Sequence, residues 1–207
     1  MLKVLGRRSS GNVMKVLWAL EELGVAYEQL DVGGKFGGND KADYLAMNPM
    51  GLVPTLVEDD GFTLWESNSI TRYLAAKHGA GTLCPADPRA RATAEAWMDW
   101  QLSAIAGMMR PVFWGLVRTK PEDRNWSEIN AAIELGNRYW AMLDRHLEGR
   151  KFVAGDSFSM GDIPIGPMAH RFISLVDKRP PMPNFDAWYR RLTERPAYQK
   201  ICMTPLE

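Results

Sequence analysis

Val53-Pro54-Thr55-Leu56-Val57, Glu58-Asp59-Asp60-Gly61 and Phe62-Thr63-Leu64-Trp65 follow one another in this chain. Two β-prone runs flank an acidic turn that ends in Asp-Gly, the turn chemistry of an antiparallel hairpin. Upstream, Leu2 to Leu5 is a short apolar run that gives way to the polar loop Arg7, Arg8, Ser9, Ser10 and Gly11. Val13, Val16, Leu17, Leu20 and Leu23 then recur at helical spacing, with Gly24 where a left-handed cap is wanted. Tyr27 to Val32 reads as a second strand, and a Gly-rich loop leads to a short helical turn over Lys41 to Met47 that Asn48-Pro49 ends. Downstream of the hairpin, Ile70, Tyr73, Leu74 and Lys77 continue at helical spacing from Ser67 and stop at Gly79.

The element order is therefore βαβαββα. A parallel unit followed by an antiparallel hairpin and a closing helix is the thioredoxin-like arrangement, with helices covering a small mixed sheet. Gly79 to Pro88 has linker composition, and the chain divides into residues 1–80, a linker at 81–87 and a second domain at 88–207. No strand pattern follows it. Ala90 to Arg118 is helical with a kink expected at Pro111, and Ile129, Ile133, Gly136, Trp140, Leu143 and Leu147 step by four and three. The expected fold is an α/β amino-terminal domain joined to an all-α helix bundle.

Composition narrows the function. With 25 basic residues against 25 acidic ones the formal net charge is zero, which offers no pull toward nucleic acid or anionic lipid. No run of eighteen apolar residues exists and the amino terminus has no signal-peptide core, so neither a nucleic-acid nor a membrane partner is expected and the protein is placed in the cytoplasm. The two cysteines, Cys84 and Cys202, lie far apart with no Cys/His cluster, so neither a disulfide framework nor a metal site is expected.

Ser9-Ser10-Gly11-Asn12 lies between the first strand and the first helix. Unpaired N–H groups and the positive end of the helix dipole favour an anion there. A thiolate suits, and with no protein cysteine in the loop it would arrive on a ligand. Bringing a thiol from about 8.5 to about 6.5 takes roughly 2.7 kcal/mol, and a hydrogen bond to a charged group supplies about 1.5 to 3. Ser and Asn are equally the preferred helix caps, so the loop alone leaves capping and thiol contact both open.

Asn48-Pro49-Met50-Gly51-Leu52-Val53-Pro54-Thr55-Leu56 and Glu66-Ser67-Asn68-Ser69-Ile70-Thr71-Arg72-Tyr73-Leu74 together resemble the glutathione S-transferase family. The resemblance runs from Leu2 to about Pro196 and is closest to phi-class and related bacterial members in the loop before helix one. It implies a cis peptide bond before Pro54, with the Val53 main chain open to a bound tripeptide. It implies that Glu66 accepts from the γ-glutamyl ammonium while Ser67, at a helix start, donates to the carboxylate. Ser10 is implied as the residue that holds the glutathione thiolate, with Ser9 or Asn12 as alternatives or helpers. Asn39 or Lys41 would meet the glycyl carboxylate, a role for which a solvated lysine is the competing reading. Phe158-Ser159-Met160-Gly161-Asp162-Ile163 corresponds to the family's capping box and hydrophobic staple, in which Ser159 caps Asp162 and Phe158 packs on Ile163. Arg110 and Trp114 are singled out as wall residues for a small apolar electrophile. The implied protein is a homodimeric transferase that uses glutathione as co-substrate and needs no cofactor. Glutathione-dependent disulfide or peroxide reduction, and non-catalytic glutathione binding, are the alternatives on the same scaffold.

Overall fold

The computed structural model describes residues 1–207. Strands β1 (Leu2–Leu5), β2 (Tyr27–Leu30), β3 (Thr55–Val57) and β4 (Thr63–Trp65) form one sheet in the order β2-β1-β3-β4. β1 pairs in parallel with β2, Val4 opposite Gln29, and antiparallel with β3, Val4 opposite Leu56. The hairpin pairs Leu56 with Leu64. β3 starts two residues later than the sequence run suggests, because Pro54 has no N–H for the ladder.

Helix α1 (Gly11–Leu23) ends at Gly24, whose φ of 63° supplies the left-handed cap. Helix α2 (Ala42–Met47) is short, and α3 (Ser67–His78) packs against α1 under the sheet. Helix α4 (Pro88–Trp100) opens on Asp87, whose carboxylate accepts from the Ala90 N–H at 2.8 Å, with Pro88 at the first position where no donor is missed.

The stretch expected as one kinked helix runs as α4, a π turn at Gln101–Ile105, α5 (Ala106–Phe113) and a second π turn at Trp114–Arg118. Pro111 sits inside α5 and removes one backbone donor. Helix α6 (Trp126–His146) is capped by Asn125, and α7 (Ile165–Leu175), α8 (Pro183–Thr193) and α9 (Pro196–Cys202) complete the bundle.

The apolar core is unbroken across the two halves. Val13, Val16, Leu17 and Trp18 on α1 share one cluster with Ile165, Phe172, Trp188 and Tyr198. Trp18 is fully buried, its ring 4.8 Å from that of Tyr198 and 5.3 Å from that of Phe158. Each such large side chain contributes roughly 1.5 to 3 kcal/mol on burial, so α1 is held as much by the helical half as by its own sheet.

The segment before α7 differs in detail from the expected capping box. The Ser159 hydroxyl accepts from the Gly161 N–H at 3.3 Å, while the Asp162 N–H goes to the Ser159 carbonyl at 3.0 Å. Asp162 does answer back, accepting from the Ser159 N–H at 3.0 Å. Phe158 packs on Trp18 and Phe152 and lies under the Arg195 guanidinium, 3.9 Å from its ring centre. The tight turn over residues 160–164 precedes the helix, so the Asp162 N–H reaches the Ser159 carbonyl while the hydroxyl takes the Gly161 N–H.

Candidate active site

Ser10 occupies the N-cap position of α1, with extended backbone angles and its carbonyl accepting from the Met14 N–H at 2.9 Å. Its hydroxyl caps nothing. The cap role that serines commonly play is therefore vacant, and the oxygen stays free to meet a ligand. Ser9 places its main-chain carbonyl 2.8 Å from the Arg171 Nη2 that donates to it. Asn12 is exposed on the first turn of α1. A β-carbon on Gly11 would stand 2.8 Å from Arg171 Nη1 and 2.7 Å from Met168 Cε. Any larger residue would push the ends of the Met168 and Arg171 side chains out of these positions.

Ser9, Ser10, Gly11 and Asn12 open onto a cleft of about 380 Å³, whose far wall comes from the α5 region and from Met168 and Arg171 on α7. Arg110 and Trp114, the wall residues picked from sequence, both line it. Gln101, Ala106, Arg110, Trp114 and Arg118 share that wall, at steps of five and then four residues. A regular helix turns every 3.6 residues, so such a row would drift off the face. The π turns at each end of α5, with i→i+5 bonding, take up the extra residue and keep the row aligned.

Beside the cleft, the Val53–Pro54 bond is cis. The Val53 N–H and C=O make no main-chain hydrogen bond, whereas the neighbouring Leu52 carbonyl accepts from Tyr44 Oη at 2.5 Å and Asn48 Nδ2 at 2.7 Å. Glu66 is exposed, and its φ of 70° makes it the one non-glycine residue with positive φ. Strained backbone of this kind costs of order 1 to 3 kcal/mol and concentrates at functional sites. The next residue, Ser67, opens α3 with its first N–H groups unpaired by the helix. Val53, Pro54, Glu66 and Ser67 lie outside the lining of the cleft.

Lys15 joins these two areas. It is fully buried, and its ammonium donates to Gln101 Oε1 at 2.7 Å, Asn68 Oδ1 at 3.1 Å and Ser67 Oγ at 3.4 Å. Asn68 in turn donates to the Met98 carbonyl at 2.8 Å. One side chain from α1 thus ties the start of α3 to the first π turn. Burial lowers the Lys15 pKa to about 7, against a smaller raising effect of Glu66.

Asn39 and Lys41 are not brought to the cleft. The Asn39 amide donates to the Gly51 carbonyl at 2.7 Å, which commits it to holding its loop. Lys41 is exposed at the cap of α2. The cation that does reach this side is Arg7, whose stem packs on Gly34; a β-carbon there would lie 3.0 Å from Arg7 Cδ.

Arg7, Arg118, Arg171 and Gln101 line the cleft and carry no mark in the sequence beyond being polar. The nearest thing to a signal is Arg171, a charge set among the apolar residues of Ile165–Leu175 three places after Met168. Burial, and then the neighbouring Arg118 and Arg7, lower the Arg171 pKa to about 10. Arg7 is lowered too, by burial first and then by Arg118.

A thioredoxin-like sheet that carries an unengaged serine at the mouth of its first helix, with a helical half closing a cleft over it, defines a transferase scaffold of the glutathione-dependent kind. Comparison with known proteins agrees: the glutathione S-transferase N-terminal domain model matches residues 1–76 and the C-terminal domain model residues 127–191. Over its whole length the chain is 45% identical to glutathione S-transferase GstB of Escherichia coli, covering 100% of both. It is 29% identical to glutathione S-transferase 3 of Zea mays, with 99% of this chain and 95% of the relative covered. Among solved structures, the theta class glutathione S-transferase of Xanthomonas axonopodis pv. citri with glutathione bound superposes with a TM-score of 0.95 at 46% identity, over 100% and 99% of the two chains. The chain belongs to the glutathione S-transferase family.

Proposed function

We propose that this protein conjugates glutathione to an electrophile, with residues 1–80 binding the peptide and residues 88–207 completing the cleft. The observation that carries the reading is the Ser10 hydroxyl, which stands at the N-cap of α1 facing the cleft and engages no backbone donor. It is positioned to donate to a thiolate, helped by the Asn12 amide and the helix end. The tripeptide main chain pairs with the open Val53 N–H and C=O. Its ammonium meets Glu66 and its γ-glutamyl carboxylate meets Ser67 and the first N–H groups of α3. The glycyl carboxylate falls to Arg7 on the Gly34 side, in place of Asn39 and Lys41.

The electrophile then rests against Met109, Phe113, Trp114 and Met168, adaptable or flat side chains suited to an organic body. The thiol proton leaves to water. The sulfur lone pair forms the carbon–sulfur bond as the leaving group departs with its bonding pair, and the protein supplies thiolate stabilisation and proximity. A twofold homodimer is part of this reading, and the exposed apolar side chains of Met50, Leu52 and Phe62 are available to form it.

Titration of bound glutathione together with turnover of a chloronitroaromatic tests the assignment. Ser10→Ala is expected to raise the thiol pKa by about one to two units and to lower kcat/KM at least tenfold, and Asn12→Ala to act less strongly. An unshifted titration with unchanged turnover in both variants removes these residues from the chemistry.

A further inference from the structure

Although the chain as a whole carries no net charge, its cleft is lined by Arg7, Arg110, Arg118 and Arg171 and by no Asp or Glu. The positions come from three parts of the fold: the loop after β1, the wall formed by α5 and the second π turn, and α7. Two of the four are fixed. The Arg171 Nη2 donates to the Ser9 carbonyl at 2.8 Å, and its guanidinium lies 4.3 Å from the centre of the Phe113 ring. Arg118 lies 5.8 Å from the centre of the same Phe113 ring and donates to the Glu207 main-chain oxygen at 2.5 Å. The carboxylate of Glu207 itself is drawn to Lys35, 3.8 Å away.

The donors are also underused. Arg171 Nε is buried without a partner, and so is Nε2 of Gln101, a residue only 1% exposed that lines the same cleft. Buried donors without acceptors are uncommon and costly. Like charges gathered in one cleft repel, and after burial, the larger cause, the neighbouring arginines lower the pKa values of Arg7 and Arg171, with Glu207 opposing the shift at Arg7. An anion entering the cleft relieves both deficits at once, and guanidinium groups suit the planar, bidentate geometry of carboxylate or sulfonate.

We propose that the second substrate of this transferase is an anionic electrophile: an organic body that packs on Phe113 and Trp114 and carries a carboxylate or sulfonate held by Arg110, Arg118 and Arg171. The proposal rests on the transferase reading above and names its substrate class. Glutathione alone does not account for the cluster, because its glycyl carboxylate meets Arg7 and its thiolate at Ser10 adds one further negative charge, against the three guanidiniums of Arg110, Arg118 and Arg171 on the electrophile side. The reaction stays balanced as before: the thiolate sulfur bonds to carbon, halide leaves with its electron pair, and the remote anionic group is unchanged.

A matched pair of substrates tests it, neutral 1-chloro-2,4-dinitrobenzene and anionic 4-chloro-3,5-dinitrobenzoate. For each, kcat/KM is divided by the rate constant of the uncatalysed reaction with glutathione. The expected ratio favours the anion at least tenfold and falls as salt is raised. Arg118→Gln and Arg110→Gln are expected to cut that preference about tenfold each, with Arg118→Lys retaining part of it, whereas Arg91→Gln, outside the cleft on α4, keeps it. Turnover of the neutral substrate with no preference for the anion overturns this inference and leaves the transferase reading standing. No turnover of either substrate with glutathione overturns the transferase reading itself. A preference that survives both Gln variants, or a Gln variant that raises the KM for glutathione and slows both electrophiles equally, removes the arginines from electrophile recognition.

Discussion

Lys15 takes a long side chain into the interior of the molecule with no carboxylate on its ammonium, only the oxygens of Gln101, Asn68 and Ser67. Three acceptors satisfy three donors, so the charge is solvated by amides rather than neutralised. Burial lowers its pKa from 10.5 to about 7. Above the higher value neither folded nor unfolded chain holds the proton, and the group contributes nothing. As pH falls between the two values the unfolded chain takes up a proton that the folded one does not, so stability falls, and below about 7 the loss is complete. In Lys15→Met the slope is absent. Urea unfolding of both proteins from pH 7 to pH 10 is expected to show wild type gaining stability relative to the variant as pH rises, and a pH-independent difference contradicts a lysine with a depressed pKa.

At the scale of the element, a single carboxylate organises the approach to α7. Asp162 is fully buried and accepts from the Val153 N–H at 3.0 Å, the Ser159 N–H at 3.0 Å and Trp188 Nε1 at 2.8 Å. Those donors come from the loop after α6, from the turn before α7 and from α8. Burial raises its pKa to about 6 in spite of these bonds, which makes it a structural tie and not an acid or base of the cleft, since it does not line it. Asp162→Ala removes the acceptor of these three buried donors and of the Ser159 hydroxyl, 3.4 Å away, at about 1 to 3 kcal/mol for each donor left unpaired before relaxation. A loss of roughly 3 to 5 kcal/mol in unfolding free energy is expected, with glutathione affinity unchanged in the protein that remains folded. A loss under about 1 kcal/mol, or a specific loss of affinity, goes against that role. The π turns flanking α5 work at the same scale, since they help to keep Gln101, Arg110 and Arg118 on the cleft face.

For the whole molecule the decisive feature is the continuity of the core. Trp18 and Tyr198, from opposite ends of the chain, stack edge to face, and Arg195 pairs with Glu22 through bonds of 2.8 and 2.6 Å. With α1 shared between sheet and bundle, neither half can open without exposing the other's buried surface. Thermal unfolding is expected as one transition, with far-ultraviolet dichroism and tryptophan fluorescence coincident. Two resolved transitions mean that the halves are energetically separate.

Periodicity and turn chemistry made the strands, the hairpin, α1, α3 and the helical second half legible in the sequence, because those signals are local: a spacing of three and four, an alternation, an Asp-Gly, a proline. The same locality showed Ser10 at a helix start and Glu66-Ser67 at another. Whether the Ser10 hydroxyl caps its helix or faces a cleft depends on atoms a few ångströms away from the backbone, and folding settles it in favour of the cleft. Arg7, Arg110, Arg118 and Arg171 lie up to 164 residues apart in the numbering and meet only because α5 and α7 close over the loop after β1. No pattern within a window of the chain encodes such a meeting, since it is the sheet order, the glycine at position 11 and the two π turns together that bring the four charges to one place.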